Sequence, residues 1–371
     1  MLSRAKAIRG LRPILEEHPS TARLLRGADQ ALSRLHHGLA RSVPALIRPQ
    51  PRQLTVAITA ACNLRCIGCR YGRDFMVGER LDLDTVQSVL DDGRAAGVGR
   101  VRFYGGEPLL HPDLPAMIRH AKGLGLDVYV TTNGVLLERR IDELVDSGLD
   151  WMSIGFYGID QKYDDYTQKD GHFAKLERSL EVVRQRYGKQ VEVQLNWTML
   201  RPTCNLDALR EAWSFAKRFD LLFHLDLYMH TNPFFSDGPD KDLAFREEDR
   251  PAVQEVVDEL CRLKAAEPLL FPHSLPFLRS VTDWLILGKD MQVPCDAYQL
   301  LWVGADGSLQ LCDVAFPLGN VRERRLSEIL FNAEHRRASR DAFELNCPNC
   351  TCKCDSRIAK HGPSWRRYGN E

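Results

Sequence analysis

Leu54 to Cys69 reads LTVAITAACNLRCIGC. An apolar, β-branched run, Leu54 to Thr59, reads as a short strand. Three cysteines follow it at once, Cys62, Cys66 and Cys69, at spacing C-x3-C-x2-C. Thiolates are the usual protein ligands of a [4Fe–4S] cube, which has four irons. Three local thiolates leave one iron to bind something else, and an open position separates a reactive metal site from a sealed one. The alternatives are a zinc knuckle or three structural thiols. Zinc wants a fourth Cys or His, and none lies within ten residues on either side.

Working outward, strand-like runs recur at 54–59, 100–104, 127–131, 150–156, 191–199 and 221–228. Helical patterns fill the gaps at about 82–96, 112–124, 136–147, 172–187 and 205–219. Strands alternating with helices argue for a parallel α/β sheet with right-handed crossovers. Ligands of such sheets sit at the C-terminal ends of the strands. The cysteine loop follows strand one, GGEP (Gly105, Gly106, Glu107, Pro108) ends strand two, and TTNG (Thr131, Thr132, Asn133, Gly134) ends strand three. All three fall on one rim.

ACNLRCIGC, VRFYGGEPLLHPD at 101–113 and VYVTTNG at 128–134, in this order, resemble the radical S-adenosylmethionine (SAM) superfamily. The resemblance runs from about Leu54 to Tyr228. It implies a partial (β/α)6 barrel, and a [4Fe–4S] cluster on Cys62, Cys66 and Cys69 whose fourth iron binds the amino and carboxylate groups of SAM. It places Gly105, Gly106, Glu107 and Pro108 at the methionine ammonium, with glycines allowing close approach. Glu107 either bonds that ammonium or fixes the loop. Ser153 and Asn196 stand where the family reads ribose and carboxylate, unless they are satisfied core polar groups. Thr132 and Asn133 point to the same rim, although Asn133-Gly134 also suits a plain turn. One departure is Gly68, where the family usually has an aromatic residue.

The composition is neutral, with 50 basic and 50 acidic residues, which gives no electrostatic reason to expect nucleic acid. No apolar stretch approaches the roughly 20 residues of a membrane span. Eleven cysteines and no signal-peptide core favour metal in a reducing, cytoplasmic compartment over disulfides. Residues 1–52 carry ten Lys or Arg against three acids, a net of +7. Leu25, Ala28, Leu32, Leu35 and Leu39 recur at helical spacing and are expected to pack a basic N-terminal helix onto the barrel as a cap. A transit peptide, a surface anchor to membrane or partner, and plain disorder are the alternatives.

The expected organisation is a helical extension over 1–50, a barrel over 51–270, a small cysteine-rich hairpin and helix domain over 290–360, and a tail over 361–371. Residues 230–242 read as a loop, and a helix is expected from about Phe245 to Glu267. In the C-terminal module, Gln299–Val303 and Ser308–Cys312 read as strands joined through Asp306-Gly307, a strong hairpin signal. Cys295, Cys312, Cys347 and Cys350 resemble the SPASM/twitch extension of radical SAM enzymes, with Gly307 to Cys312 matching its G-x4-C hairpin. That implies an auxiliary iron–sulfur cluster, in the single-cluster twitch form, with Cys352 and Cys354 as spare ligands. A zinc ribbon is the alternative.

The implied chemistry is reductive cleavage of SAM to a 5′-deoxyadenosyl radical and hydrogen abstraction from a small molecule, such as an amino sugar, or a peptide. Alternation sends His224, Asp226 and Tyr228 to one face, a candidate substrate wall if that face is inside and a solvated stripe if it is not. Tyr157 and Asp160 are weaker candidates, and Cys261 is a structural thiol. Cys204 stands beyond strand five as a candidate hydrogen donor for epimerisation, or as a small buried hydrophobe. An auxiliary cluster, as electron acceptor, favours oxidation or cross-linking. The expected partners are a flavodoxin or ferredoxin reductant and, for a peptide substrate, a separate leader-binding protein. The rival class is a non-catalytic electron carrier or zinc-stabilised binding module, which would need no SAM pocket.

Overall fold

The structure is a computed structural model that describes residues 19–229, 242–313 and 315–369, with side chains from residue 27 onward. Helix α1 (Pro19–Ser42) precedes six strands: β1 (Gln53–Thr59), β2 (Arg100–Gly105), β3 (Asp127–Thr132), β4 (Trp151–Phe156), β5 (Glu192–Met199) and β6 (Leu222–Leu227). They lie side by side in chain order and pair in parallel. The connections carry α2 (Leu83–Ala95), α3 (Leu114–Gly123), α4 (Leu137–Asp146), α5 (Asp160–Thr167) and α6 (His172–Tyr187), and α7 (Leu206–Arg218). The parallel α/β sheet is the one that the alternating pattern indicates, and the open, partial barrel is the form that the resemblance implies. Helix α5 is the addition: its polar sequence, DQKYDDYT, carries no clear helical stripe.

Side-chain alternation sets two environments. Leu54, Val56 and Ile58 of β1 point to the helices and join one large core with Val86, Leu90 and Met117. Each such side chain contributes about 1.5–3 kcal/mol by leaving water. The opposite face carries Thr55, Ala57 and Thr59 of β1. Ala57 packs there with Tyr71, Tyr104 and Trp302. On β6, Phe223, Leu225 and Leu227 join the helix-side core, which turns His224 and Asp226 into the barrel interior. Side-chain caps fix several helix starts: Asp82 accepts from Thr85 N at 2.7 Å, and Asn205 from Ala208 N at 2.9 Å.

After β6 come α8 (Arg250–Ala266) and α9 (Leu275–Leu287). The loop expected over 230–242 lies, except for Asp242, outside the described residues. The C-terminal hairpin continues the barrel's own sheet. Strand β7 (Leu300–Val303) pairs in parallel with β1, Leu54 opposite Leu301 and Val56 opposite Val303. Strands β8 (Ser308–Leu311) and β9 (Pro317–Asn320) then add antiparallel, giving nine strands in the order β6-β5-β4-β3-β2-β1-β7-β8-β9. The all-apolar β7 closes what would be an open edge on β1. Gly307, at φ +83°, makes the turn, and Asp306 Oδ1 accepts from Ser308 N at 2.9 Å. Four helices finish the chain: α10 (Leu326–Ile329), α11 (Ala333–Glu344), α12 (Cys354–Lys360) and α13 (Gly362–Gly369).

The N-terminal helix corrects an expectation. It packs against α12 and α13 rather than capping the barrel with its leucines. It buries His37 and Ala40, whereas Leu32, Leu35 and Leu39 are 65%, 60% and 52% exposed, and Ala28 is also exposed. The side chain of Leu25 lies outside the described set. The reason is local: Arg34 stacks over Trp365 at 4.8 Å and His37 meets Phe343 edge-on at 5.2 Å, so polar and aromatic contacts set the helix's rotation.

Candidate active site

The cysteine loop is held by backbone. Gly106 N donates to Thr59 O and Glu107 N to Ala61 O, both at 2.8 Å. A Cβ at Gly105, which sits at φ +135°, would lie 2.2 Å from Thr59 O, and one at Gly106 would lie 2.2 Å from Ala61 O. The two glycines therefore serve the close approach of β2's end to β1's end, which the sequence reading had assigned to a ligand contact. On the other side, Ile67 N donates to Tyr166 O at 2.8 Å, so α5 also pins the loop. Gly68 adopts φ +82°, a conformation that a side chain would strain.

The three thiols feel one another. Burial pushes the Cys62 thiol up to about 12, with the charge of Cys69 adding to it. Burial likewise pushes Cys66 well above its ordinary value, with Cys69 and Cys62 adding to that. Cys62 and Cys66 therefore favour the thiol unless a cationic group sits among the sulfurs, and a bound metal inverts that logic. Leu64 N already points at Cys62 Sγ, at 3.4 Å.

Glu107 is fully buried and acts as a latch. Its Oε1 accepts from Leu109 N at 2.9 Å and from the Thr132 hydroxyl at 2.7 Å, and its Oε2 accepts from Asn133 N at 2.8 Å. Burial raises its carboxyl to about 7, against the pull of those three donors. Asn133 Nδ2 then donates to Asn63 Oδ1 at 2.8 Å, so the GGEP turn, TTNG and the cysteine loop form one unit. Of the two readings open for Glu107, its oxygens serve the loop. Pro108 opens the short turn 108–110 that follows.

Deeper in the barrel, Arg102 Nε donates to Thr131 Oγ1 at 2.9 Å, and Thr131 shares a 2.8 Å bond with Ser153 Oγ. Gln194 donates to Asn196, which donates to Asp226 Oδ2 at 2.8 Å. His224 Nδ1 stands 3.5 Å from Asp226 Oδ1. Asp226 faces the barrel interior, and its side chain is 45% accessible there. Burial pushes its carboxyl up, but His224, Arg102 and Asn196 together hold it below its ordinary range. Tyr228 parts from its strand-mates and packs near Cys66, Tyr157 and Tyr166.

Cys204 is not among these polar residues. Its thiol lies in the helix-side core, 8% exposed, and burial raises it to about 12. Cys204 follows β5 and the turn 201–203, and its burial fits the reading of a small buried hydrophobe. Cys261 packs on the same core from α8, and Asp160 begins α5.

The second thiol set lines a pocket with Cys295, Cys312, Cys347, Cys350 and Cys352. Four of these sulfurs accept a backbone N–H: Cys295 from Ala297, Cys312 from Ala315 and Cys347 from Asn349, all at 3.4 Å, and Cys350 from Cys352 at 3.3 Å. Cys352 instead pairs its thiol with Cys350, and Cys354 donates to Thr351 O at 2.6 Å from the start of α12. Arg357, fully buried, also lines the pocket; its guanidinium lies over Trp284 at 4.5 Å and donates to Cys350 O at 2.8 Å and to Asn349 Oδ1 at 3.1 Å. The burial of a cation among carbonyls and thiols is costly unless negative charge joins it. An iron–sulfur cluster on four thiolates is a net anion, so the donor set fits one.

Asp313 was missed by the sequence reading. It follows Cys312, and its Oδ1 is buried without a hydrogen-bond partner. Burial raises its carboxyl, opposed by the charges of Arg102 and Lys353. Arg102 belongs to the barrel and Lys353 to the cysteine-rich segment, so Asp313 feels charges from both parts of the chain. Its one sequence signal is an acid adjacent to a G-x4-C cysteine.

A profile of the Radical SAM superfamily matches residues 56–203, and one described as an iron–sulfur cluster-binding domain, SPASM, matches residues 295–355. The chain is a radical SAM enzyme with a C-terminal SPASM domain. SAM and a [4Fe–4S] cluster are its cofactors, with auxiliary iron–sulfur in the SPASM domain. Among similar proteins, GTP 3′,8-cyclase of Chlorobaculum tepidum is 35% identical over 48% of this chain and 53% of its own length. The chain thus spans about half the length of that relative. AdoMet-dependent heme synthase of Methanosarcina barkeri is 28% identical over 82% of this chain and 89% of its own. Solved structures of anSMEcpe with bound AdoMet (TM-score 0.62, 17% identity, 86% of this chain and 92% of that one) and of Streptococcus suis SuiB with precursor peptide SuiA (0.56, 16%, 83% and 70%) share the fold. No helix among the described residues is long and apolar enough to cross a membrane.

Proposed function

We propose that this radical SAM enzyme oxidises a polar natural product, a peptide side chain or a small molecule such as an amino sugar, in the cavity between its two thiol sets. In this reading Cys62, Cys66 and Cys69 hold the SAM-binding cluster, and Cys295, Cys312, Cys347 and Cys350 hold one auxiliary cluster. Once bound, these groups supply a 5′-deoxyadenosyl radical that takes a hydrogen atom and a cluster that accepts a second electron. The chain itself positions the reactants. Gly105, Gly106, Pro108, Thr132 and Asn133, latched by Glu107, shape the SAM pocket, and Ser153 and Asn196 line its wall. Arg102, His224 and Asp226 present both signs of charge to a polar substrate. Tyr228 closes the rim near the cysteine loop.

The observation that carries oxidation is Asp313. Loss of a second electron from the substrate leaves a proton to remove, and this carboxylate, whose Oδ1 has no hydrogen-bond partner and which follows an auxiliary thiol in the chain, can accept it. The burial of Cys204 speaks against epimerisation through that thiol. The solved neighbours bound to peptides favour a peptide, whereas the cyclase and heme synthase relatives favour a small molecule. A cytoplasmic setting and a flavodoxin or ferredoxin reductant complete the reading. The test is anaerobic incubation with SAM and site-deuterated candidates. Deuterium in 5′-deoxyadenosine is expected for the true substrate. Asp313→Asn should keep that transfer and lose oxidised product by about 100-fold or more. Intact SAM under strong reductant, or full product formation by Asp313→Asn, would overturn it.

A further inference from the structure

Helix α1 and the C-terminal α13 enclose a groove of about 640 Å³ that the chemistry above does not use. Among the described residues its lining holds Arg34, Arg41 and Arg366, with Leu35, Leu39 and Trp365, and no carboxylate. Elsewhere on the surface arginines hold acids: Arg186 with Asp142, Arg201 with Asp249, Arg218 with Glu177 and Arg325 with Asp92. In the groove the contacts are neutral. Arg34 stacks on Trp365 and donates to Ala359 O at 3.3 Å, and Arg41 Nη1 stands 3.5 Å from His361 Nε2. Beside these cations α1 exposes its leucines instead of burying them. Exposed apolar residues rimmed by guanidiniums that hold no carboxylate among the described residues mark a recognition surface.

We propose that this groove docks an acidic, amphipathic segment of the enzyme's own peptide substrate, outside the residues that react. The proposal rests on the peptide form of the reading above. Charge selects the occupant: residues 1–18 carry four basic and two acidic side chains, the wrong sign for three arginines. Concavity selects a chain segment over a flat bilayer. Carboxylates would pair with the guanidinium forks, and alternate apolar residues would cover Leu35, Leu39 and Trp365. The position suits the role. His361, at the groove, directly follows α12, which begins at Cys354 beside the auxiliary pocket; seven helical residues span about 10 Å. A segment held there is tethered close to the site of reaction.

The probe is a fluorescein-labelled helical peptide with leucines on one face and glutamates on the other, titrated against the full chain at physiological salt by anisotropy. Its lysine counterpart and phosphatidylglycerol vesicles are the controls. The glutamate peptide is expected to bind at least about tenfold tighter than the lysine peptide, and to lose about tenfold in the Arg41→Glu/Arg366→Glu variant. Leu35→Gln, on an exposed face and so neutral for folding, should also weaken it. Equal binding of both peptides, unchanged binding in both variants, or a preference for vesicles would overturn the proposal. Deoxyadenosine formation without added substrate separates the two failures. If SAM is cleaved and the glutamate peptide ignored, the groove assignment falls; if the peptide binds and SAM stays intact, the catalytic reading falls.

Discussion

The two thiol sets are built for different ends. The barrel trio sits on a loop held by backbone approach at Gly105 and Gly106 and by the Glu107 latch, with all three thiols only partly buried. The C-terminal set sits in a pocket where four sulfurs each receive a backbone N–H and a buried guanidinium supplies positive charge. The first keeps one side available for a ligand. On the reading proposed above, the second surrounds a cluster with protein and tunes it. An exchanging site and an electron reservoir have those opposite needs.

The sharpest way to break this contrast is to remove one sulfur of the second set. Cys350→Ala should cost about half of the iron after anaerobic loading and abolish product, while SAM cleavage persists. Cys352→Ala, which lacks the N–H···S geometry, should keep its iron. Equal losses in both, by iron analysis, would break the four-sulfur assignment.

Next in size is the latch. The folded Glu107 carboxyl lies at about 7, above its unfolded value near 4.3. A raised value means that the folded state holds the proton more tightly. Its contribution is therefore complete below about pH 4.3 and is lost as pH rises to about 7, roughly 3 to 4 kcal/mol in all. Glu107→Gln should flatten the dependence of denaturant stability on pH across that window. An unchanged slope would show that the carboxyl titrates normally.

Arg357→Met, matched in length, should leave iron content near normal and move the auxiliary cluster to a lower reduction potential in an EPR-monitored titration, with Arg357→Lys in between. Unchanged potentials would reduce Arg357 to a packing role. The smallest effect is expected at Cys204: Cys204→Ala should leave turnover and product stereochemistry unchanged, because the thiol is buried among core residues. Loss of turnover with retained fold would return it to the reactive rim.

Much of this was legible in the chain. Strands β1 to β6 are apolar runs with period-two alternation, and Asp306-Gly307 turns where that dipeptide should. The leucines of α1 misled because helical periodicity reports an apolar face but not what covers it. Polar contacts to Trp365 and Phe343 decided the rotation. Helix α5 was hidden by its polar composition, and β7 was separated from β1 by some 240 residues, so no local pattern could announce their pairing. Asp313 gains its meaning from Arg102 and Lys353, which only the folded chain brings near.

The most direct test is the EPR spectrum of the reduced, iron-loaded protein with and without SAM, for the native chain and for Cys66→Ala. SAM should perturb only one cluster signal, and that signal should vanish in Cys66→Ala while the other remains. A spectrum indifferent to SAM, or a SAM-sensitive signal surviving in Cys66→Ala, would contradict the division into an open and an enclosed site.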